Sequence, residues 1–271
     1  MLKDITIGQY FPGESVIHRL DPRFKIVITL LFIMMLFTGD SMWCLVIGAV
    51  FTALSIILSR IPVKMFAKSV KPLLPFLVIT AVLNLFFVST GDVIWQWKFI
   101  KLTTGGVNIS VVMIIRIILL IAGSSLLTYT TSPITLTDAI ERLLSPLKRL
   151  KFPVHELSMM MSIALRFIPT LVEETDKIMS AQKARGAEID SGKLRTRLGN
   201  MVSIMVPLFI SAFRRADELA TAMECRCYHG GSGRTRLRQM KSSARDYIAL
   251  FISACFYAAI IAADRLIPDI F

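Results

Sequence analysis

The chain has 271 residues, of which 54% are hydrophobic and 18% charged, with a mean hydropathy of +0.64. Ordinary soluble domains carry close to half apolar and about a quarter charged residues, so this composition excludes one and implies a multi-span membrane protein. The formal net charge of +12 could suggest nucleic-acid binding, but the basic residues gather in loops beside apolar spans, where the positive-inside rule puts them, and no nucleic-acid partner is expected.

The first 25 residues hold no sustained apolar region, so no cleavable signal peptide is expected. Ile26 to Phe37 and Met42 to Leu58 then read as a helical hairpin around the turn Thr38-Gly39-Asp40-Ser41; the first run is short for a span and borrows flanking residues. A third span covers about Leu73 to Val88, opened by Pro72 and crossed by Pro75, a fourth about Val107 to Leu127, and a last one about Tyr247 to Ala263. Each is judged against roughly 30 Å of hydrocarbon.

Charge sets the expected orientation. Lys3, Arg19, Arg23 and Lys25 precede the first span and Arg60, Lys64, Lys68 and Lys71 follow the second, so both segments are expected to be cytoplasmic. The turn at 38–41 has no Lys or Arg and the loop around Trp95 and Trp97 has only Lys98 and Lys101; these face outward, with the tryptophans at the interface. Residues 129–246 carry 19 of the 31 Lys and Arg residues and are expected to be cytoplasmic too. The chain therefore divides into an N-terminal segment with a four-span block (1–128), a cytoplasmic coupling-helix domain (129–246) and a C-terminal transmembrane helix (247–271). Its fold class is an all-α membrane protein, with about five transmembrane helices and a set of long amphipathic helices at the interface.

Within the insert, a short amphipathic helix from about Thr135 to Lys148 is opened by Pro133 beside Ser132. Leu157 to Ala184 and Met201 to Met223 then show apolar residues at helical spacing mixed with charges, the pattern of long helices lying at a membrane surface. Pro169 and Pro207 should each kink their helix. The two helices form a loose repeat: with Arg185 set on Arg226, Asp176 falls on Asp217 and Ala181 on Ala222.

Each helix ends on an arginine tripeptide, Ala184-Arg185-Gly186 and Cys225-Arg226-Cys227. A glycine after the last turn suits a left-handed terminus, and an arginine there gains from the helix dipole, which accounts for a plain solvated cap. Repetition of the arrangement favours a docking device, in which the planar guanidinium enters an acidic groove of another protein. Because positive φ is costly for Cys227, the second helix is expected to delay its left-handed turn toward Gly230-Gly231, leaving tips alike in charge and unequal in shape.

The remaining motifs point away from chemistry. Gly186 through Lys193 mimics a phosphate loop, but five residues rather than four separate Gly186 from Gly192, Leu194 replaces the Ser or Thr, and no strand precedes it. His18, His155 and His229 are scattered, so no catalytic residues are assigned. Cys44 and Cys255 lie in apolar spans, and Cys225, Cys227 and His229 form a string with no fourth ligand nearby; no metal or cofactor is expected. Arg116, inside the fourth span, reads first as a structural arginine paired in the bundle or snorkelling to an interface; a self-contained secondary transporter with a site near Arg116 and Asn84 is the alternative. Met159, Met160, Met161, Met179, Met201 and Met205 serve equally as core packing or as a surface for several partners.

The stretch Gly8-Gln9-Tyr10-Phe11-Pro12-Gly13-Glu14-Ser15, then His18-Arg19-Leu20-Asp21-Pro22-Arg23-Phe24-Lys25, the span block, the insert and the two tripeptides together resemble the transmembrane T component of energy-coupling factor transporters, the EcfT family. The resemblance covers nearly the whole chain. It implies two Ala-Arg-Gly-like motifs that each dock on one of two cytoplasmic ABC-type ATPases: Ala184, Arg185 and Gly186 match the first, and Arg226 the centre of the second, where Cys225 and Cys227 replace Ala and Gly. It further implies a membrane-embedded substrate-binding S component resting on the methionine-bearing face, a vitamin or transition-metal cargo, location in a prokaryotic plasma membrane, and no catalysis by this chain.

Overall fold

The structure, a computed structural model, describes residues 10–39, 42–87, 93–97, 100–150, 152–187, 194–230 and 240–266. These form two compact units, one of residues 10–136 with 240–266 and one of residues 137–230 within the described range. Both are helical, apart from one short antiparallel hairpin of β1 (Val93–Trp97) and β2 (Ile100–Thr103) in the first unit.

The first unit is the apolar bundle. Helix α1 (Pro22–Thr38) begins where the Asp21 carboxylate accepts from Arg23 N–H and Pro22 stands in the first turn, the N-terminal chemistry a helix needs. It is followed by α2 (Met42–Ser59), α3 (Val63–Val70), a 3₁₀ turn at Lys71–Leu73, α4 (Leu74–Phe87), α5 (Thr104–Thr130) and, after the insert, α9 (Ala244–Leu266). Among the described residues, four stretches are long and apolar enough to cross a membrane: Met42–Ser59, Val63–Phe87, Thr104–Thr130 and Ala244–Arg265. At 17 residues, α1 extends only about 26 Å. The third span starts ten residues before the expected Leu73, because α3 and α4 run on through the 3₁₀ turn at Pro72.

The core unites α1, α2, α5 and α9 through Phe32, Met35, Leu36, Cys44, Leu45, Leu119 and Ile260. Close helix approach depends on Gly123, where a Cβ would lie 2.2 Å from the Phe32 ring. A second cluster packs Ile61 and Phe66 against Ala122 and Tyr129, with the Tyr129 hydroxyl donating to the Met65 carbonyl.

One end of this bundle is closed by buried polar groups. The Lys25 ammonium donates to the carbonyls of His18 and Thr130 and to Thr131 Oγ1, at 3.2, 2.9 and 3.3 Å. His18 in turn bonds Ser15 Oγ and the Phe11 carbonyl, and burial lowers its pKa from the ordinary value. Asp246 accepts from the backbone N–H of Asp21 at 2.8 Å and from that of Ser243 at 2.6 Å. The second contact is the reach-back half of a capping box at the start of α9; the first staples α9 to α1.

Asp246 is 2% exposed, so truncation would leave two backbone donors without an acceptor. Asp246→Ala is expected to cost about 3 kcal/mol, and Asp246→Asn, which keeps one acceptor oxygen, clearly less. Thermal unfolding of the detergent-solubilised protein checks this; equal melting of the two variants would refute the staple.

The second unit contains most of α6 (Pro133–Leu143), a 3₁₀ segment at Ser145–Leu150, α7 (Val154–Ala184) and α8 (Leu194–Cys225). The helix expected as far as Lys148 stops at Leu143, and Pro146 sits in the tighter turn that replaces its end. His155 Nδ1 lies 3.2 Å from the buried Glu141 carboxylate, joining the start of α7 to α6.

Candidate functional site

Helices α7 and α8 have 31 and 32 residues, and each stays continuous through its internal proline, Pro169 or Pro207. Two cross-helix contacts set their sense. Arg215 pairs with Glu174 at 2.8 Å, and Gln182 Nε2 donates to the Ser203 carbonyl at 3.4 Å. As numbering rises on α7 it falls on α8, so the helices pack antiparallel. The end of α7 therefore lies beside the Ser203 region, and Arg226 lies 23 residues, or about 34 Å of helix, farther along α8. The two arginine tips stand at opposite ends of the pair.

Both tips are built the same way. After α7, Gly186 has φ +86°, its N–H donates to the Lys183 carbonyl at 3.0 Å, and Ala187 N–H donates to the Gln182 carbonyl at 3.0 Å. After α8, Cys227 has φ +53°, its N–H donates to the Glu224 carbonyl at 2.8 Å, and Tyr228 N–H donates to the Met223 carbonyl at 3.1 Å. Each is a Schellman motif with the arginine at the C-cap. Ala184, Arg185, Gly186, Cys225, Arg226 and Cys227 are all exposed.

This corrects the expected asymmetry. The left-handed turn of the second tip is made at Cys227 and is not delayed to Gly230; Gly231 lies outside the described residues. A left-handed residue with a Cβ costs roughly 1–2 kcal/mol, which the two hydrogen bonds to otherwise unpaired helix carbonyls offset. The tips share backbone shape and differ in side chains. Cys227→Gly is accordingly expected to raise stability by about 1 kcal/mol, read as a higher melting temperature; an unchanged or lower one would contradict strain at Cys227.

The outer face of α8 carries the signal that methionine spacing captured only in part. Ile204 is buried, and Leu208, Ser211 and Arg215 are partly covered along the face toward α7. Val202, Val206, Phe209 and Phe213 recur at the same helical spacing on the opposite face, and Phe213 is 71% exposed. Met201, Met205 and Ile210 flank this stripe in the open; on α7, Met160 and Met161 are exposed, while Met159 and Met179 are half-buried. The open stripe is therefore an apolar face beyond the one that packs on α7.

Other sequence candidates take structural places. Arg116 donates to the Gly39 carbonyl at 2.9 Å, holding the turn at the end of α1, and Asn84 is half-buried on α4. Cys225 and Cys227 are free exposed thiols, and no cluster of three metal-ligating side chains occurs among the described residues. Gly186, the first glycine of the phosphate-loop lookalike, is a helix cap, and residues 188–193 of that segment lie outside the described residues, as do Gly8 and Gln9 of the N-terminal stretch.

A family model described as CbiQ, cobalt transport protein, matches residues 13–237. Among curated relatives, the energy-coupling factor transporter transmembrane protein EcfT of Clostridium kluyveri is 54% identical over 250 residues, 92% of this chain and 93% of that one. The protein of the same name from Ruminiclostridium cellulolyticum is 51% identical over 261 residues, covering 96% and 97%. That from Bacillus subtilis is 43% identical over 261 residues, covering 96% and 98%.

Proposed function

The chain belongs to the family of energy-coupling factor transporter transmembrane proteins, EcfT, and on that premise we propose that it is the scaffold through which two cytoplasmic ABC-type ATPases drive a substrate-binding membrane subunit. It is a membrane subunit of a transporter; the chemistry of ATP hydrolysis resides in the partners. Arg185 and Arg226 each dock on one ATPase. Closure of the ATPase pair changes the separation of its two docking grooves, and α7 and α8 convert that change into a tilt of the substrate-binding subunit seated on the stripe of α8 and the neighbouring methionines. The cargo is a vitamin or a transition-metal ion, of which cobalt is the one the matched family model names. The N-terminus and residues 129–246 face the cytoplasm of a prokaryotic cell.

The observation that carries this reading is the duplication of one tip, with the same cap hydrogen bonds, at opposite ends of an antiparallel pair. A solvated helix end needs no such matching, whereas two similar partners held about 30 Å apart do. A self-contained secondary transporter has no observation in its favour, since Arg116 is engaged with the Gly39 carbonyl.

Affinity purification of the tagged full-length chain from its native membrane tests the proposal. Two distinct ABC-type ATPases and one small membrane subunit should copurify, and the chain stripped of them should bind no ATP, because its would-be phosphate loop starts from a helix C-cap and carries Leu194 where Mg²⁺ coordination needs a hydroxyl. Specific nucleotide binding by the stripped chain, or purification without ATPases, would refute it.

A further inference from the structure

We propose that the apolar bundle holds one anionic phospholipid, with an acyl chain in a slot between α1, α2, α5 and α9 and the headgroup phosphate against Arg245. The slot has a volume of about 470 Å³. Leu54 and Leu58 of α2 and Ile252 of α9 line it and are about half exposed. Its floor is aromatic: Phe32 stacks on Phe51 with centroids 5.6 Å apart, and Phe51 meets Phe256 edge-on at 5.3 Å.

The walls suit a hydrocarbon chain better than a polar solute. Of the hydroxyls that line the slot, which include that of Ser55, those of Thr29, Thr52, Thr130 and Ser253 each donate at 2.8 Å to a carbonyl one turn back in their own helix. The Lys25 ammonium is likewise occupied by three oxygens. A polar ligand would shed its water here and find those protons already committed.

Charge at one end selects the headgroup. Arg245 lines the slot and is exposed, and its side chain makes no ion pair or hydrogen bond among the described residues. The neighbouring charges are satisfied: Arg23 pairs with Asp21, and Asp246 is taken by two backbone donors. From Arg245 to Phe256 the slot follows 11 residues of α9, about 16 Å. That depth is half of the roughly 30 Å hydrocarbon layer and fits one leaflet. A partner's spanning helix would need a groove about twice as long.

Native mass spectrometry of the full-length chain released from detergent, titrated with dioleoyl phosphatidylglycerol or dioleoyl phosphatidylcholine, tests the site. The wild type should retain one lipid and prefer phosphatidylglycerol about fivefold, the effect of one basic residue facing anionic lipid. Arg245→Gln, a change at an exposed side chain, should bring the ratio to parity by lowering phosphatidylglycerol retention about fivefold more than phosphatidylcholine retention. Ala249→Phe, which fills the slot, should reduce retention of both lipids; Leu54→Trp, on the exposed wall, does the same without touching the core. No preference in the wild type, a preference that survives Arg245→Gln, or retention unaffected by both filling variants would overturn the proposal. So would crosslinking of a cysteine placed at Ile252 to the substrate-binding subunit in the intact complex, which would make the slot a protein interface.

Discussion

Replacing Arg185 and Arg226 together by alanine is expected to strip both ATPases from the complex and abolish uptake, while the chain still inserts and keeps its substrate-binding partner. Both side chains are exposed in the isolated chain, and the caps beneath them are made by backbone groups alone, so neither substitution removes anything the fold uses. In the docked state each guanidinium would be a buried member of a charged, hydrogen-bonded pair. Truncating one such member costs about 2–5 kcal/mol, much of it from the partner charge left unpaired. The tips are far enough apart for the losses to add, giving about 4–10 kcal/mol for the double variant. Each single variant should weaken one attachment by at least about thirtyfold and uncouple transport, because one anchored tip cannot report a change in separation. Copurification of both ATPases with the double variant, accompanied by normal uptake, would remove the docking assignment.

The complementary loss is expected on the open face of α8. Phe209→Asp combined with Phe213→Asp should release the substrate-binding subunit and stop transport, leaving the ATPases bound. These rings are 56% and 71% exposed, so their removal should alter stability by no more than about 0.5 kcal/mol. On association each ring leaves water, which contributes about 1.5–3 kcal/mol, and an aspartate in its place carries an ion into an apolar contact. The measurement is subunit composition after affinity purification, alongside uptake. Retention of the small subunit at wild-type level would assign the stripe to lipid. Loss of ATPases as well would mean that the variant had unfolded α8 and would refute the separation of the two surfaces. The two double variants thus lose opposite partners.

The helical membrane class was legible in the apolar run lengths, because crossing about 30 Å without exposing backbone polar groups leaves a helix few substitutes. The Arg185 tip was legible for a similar reason: Gly186 is the residue type that a left-handed helix end favours. The second tip was named at Arg226 as well, but the place of its left-handed turn was not legible. Cys227 argues locally against positive φ, and only the paired hydrogen bonds to Glu224 and Met223 show the competing energy that wins.

Apolar periodicity on α8 showed an amphipathic helix without saying which of its residues are covered. That depended on where α7 lies: Ile204 is buried and Phe213 open because Glu174 and Gln182 reach Arg215 and Ser203, contacts whose partners are 41 and 21 residues apart in the chain. Lys25, counted in the sequence as one more loop charge, is instead a buried brace whose acceptors are partly 105 and 106 residues away. Run length, composition and cap residues are local properties, which a chain states by itself. The covered face of a helix and the partner of a buried charge depend on which distant segments meet, and only the tertiary structure decides that.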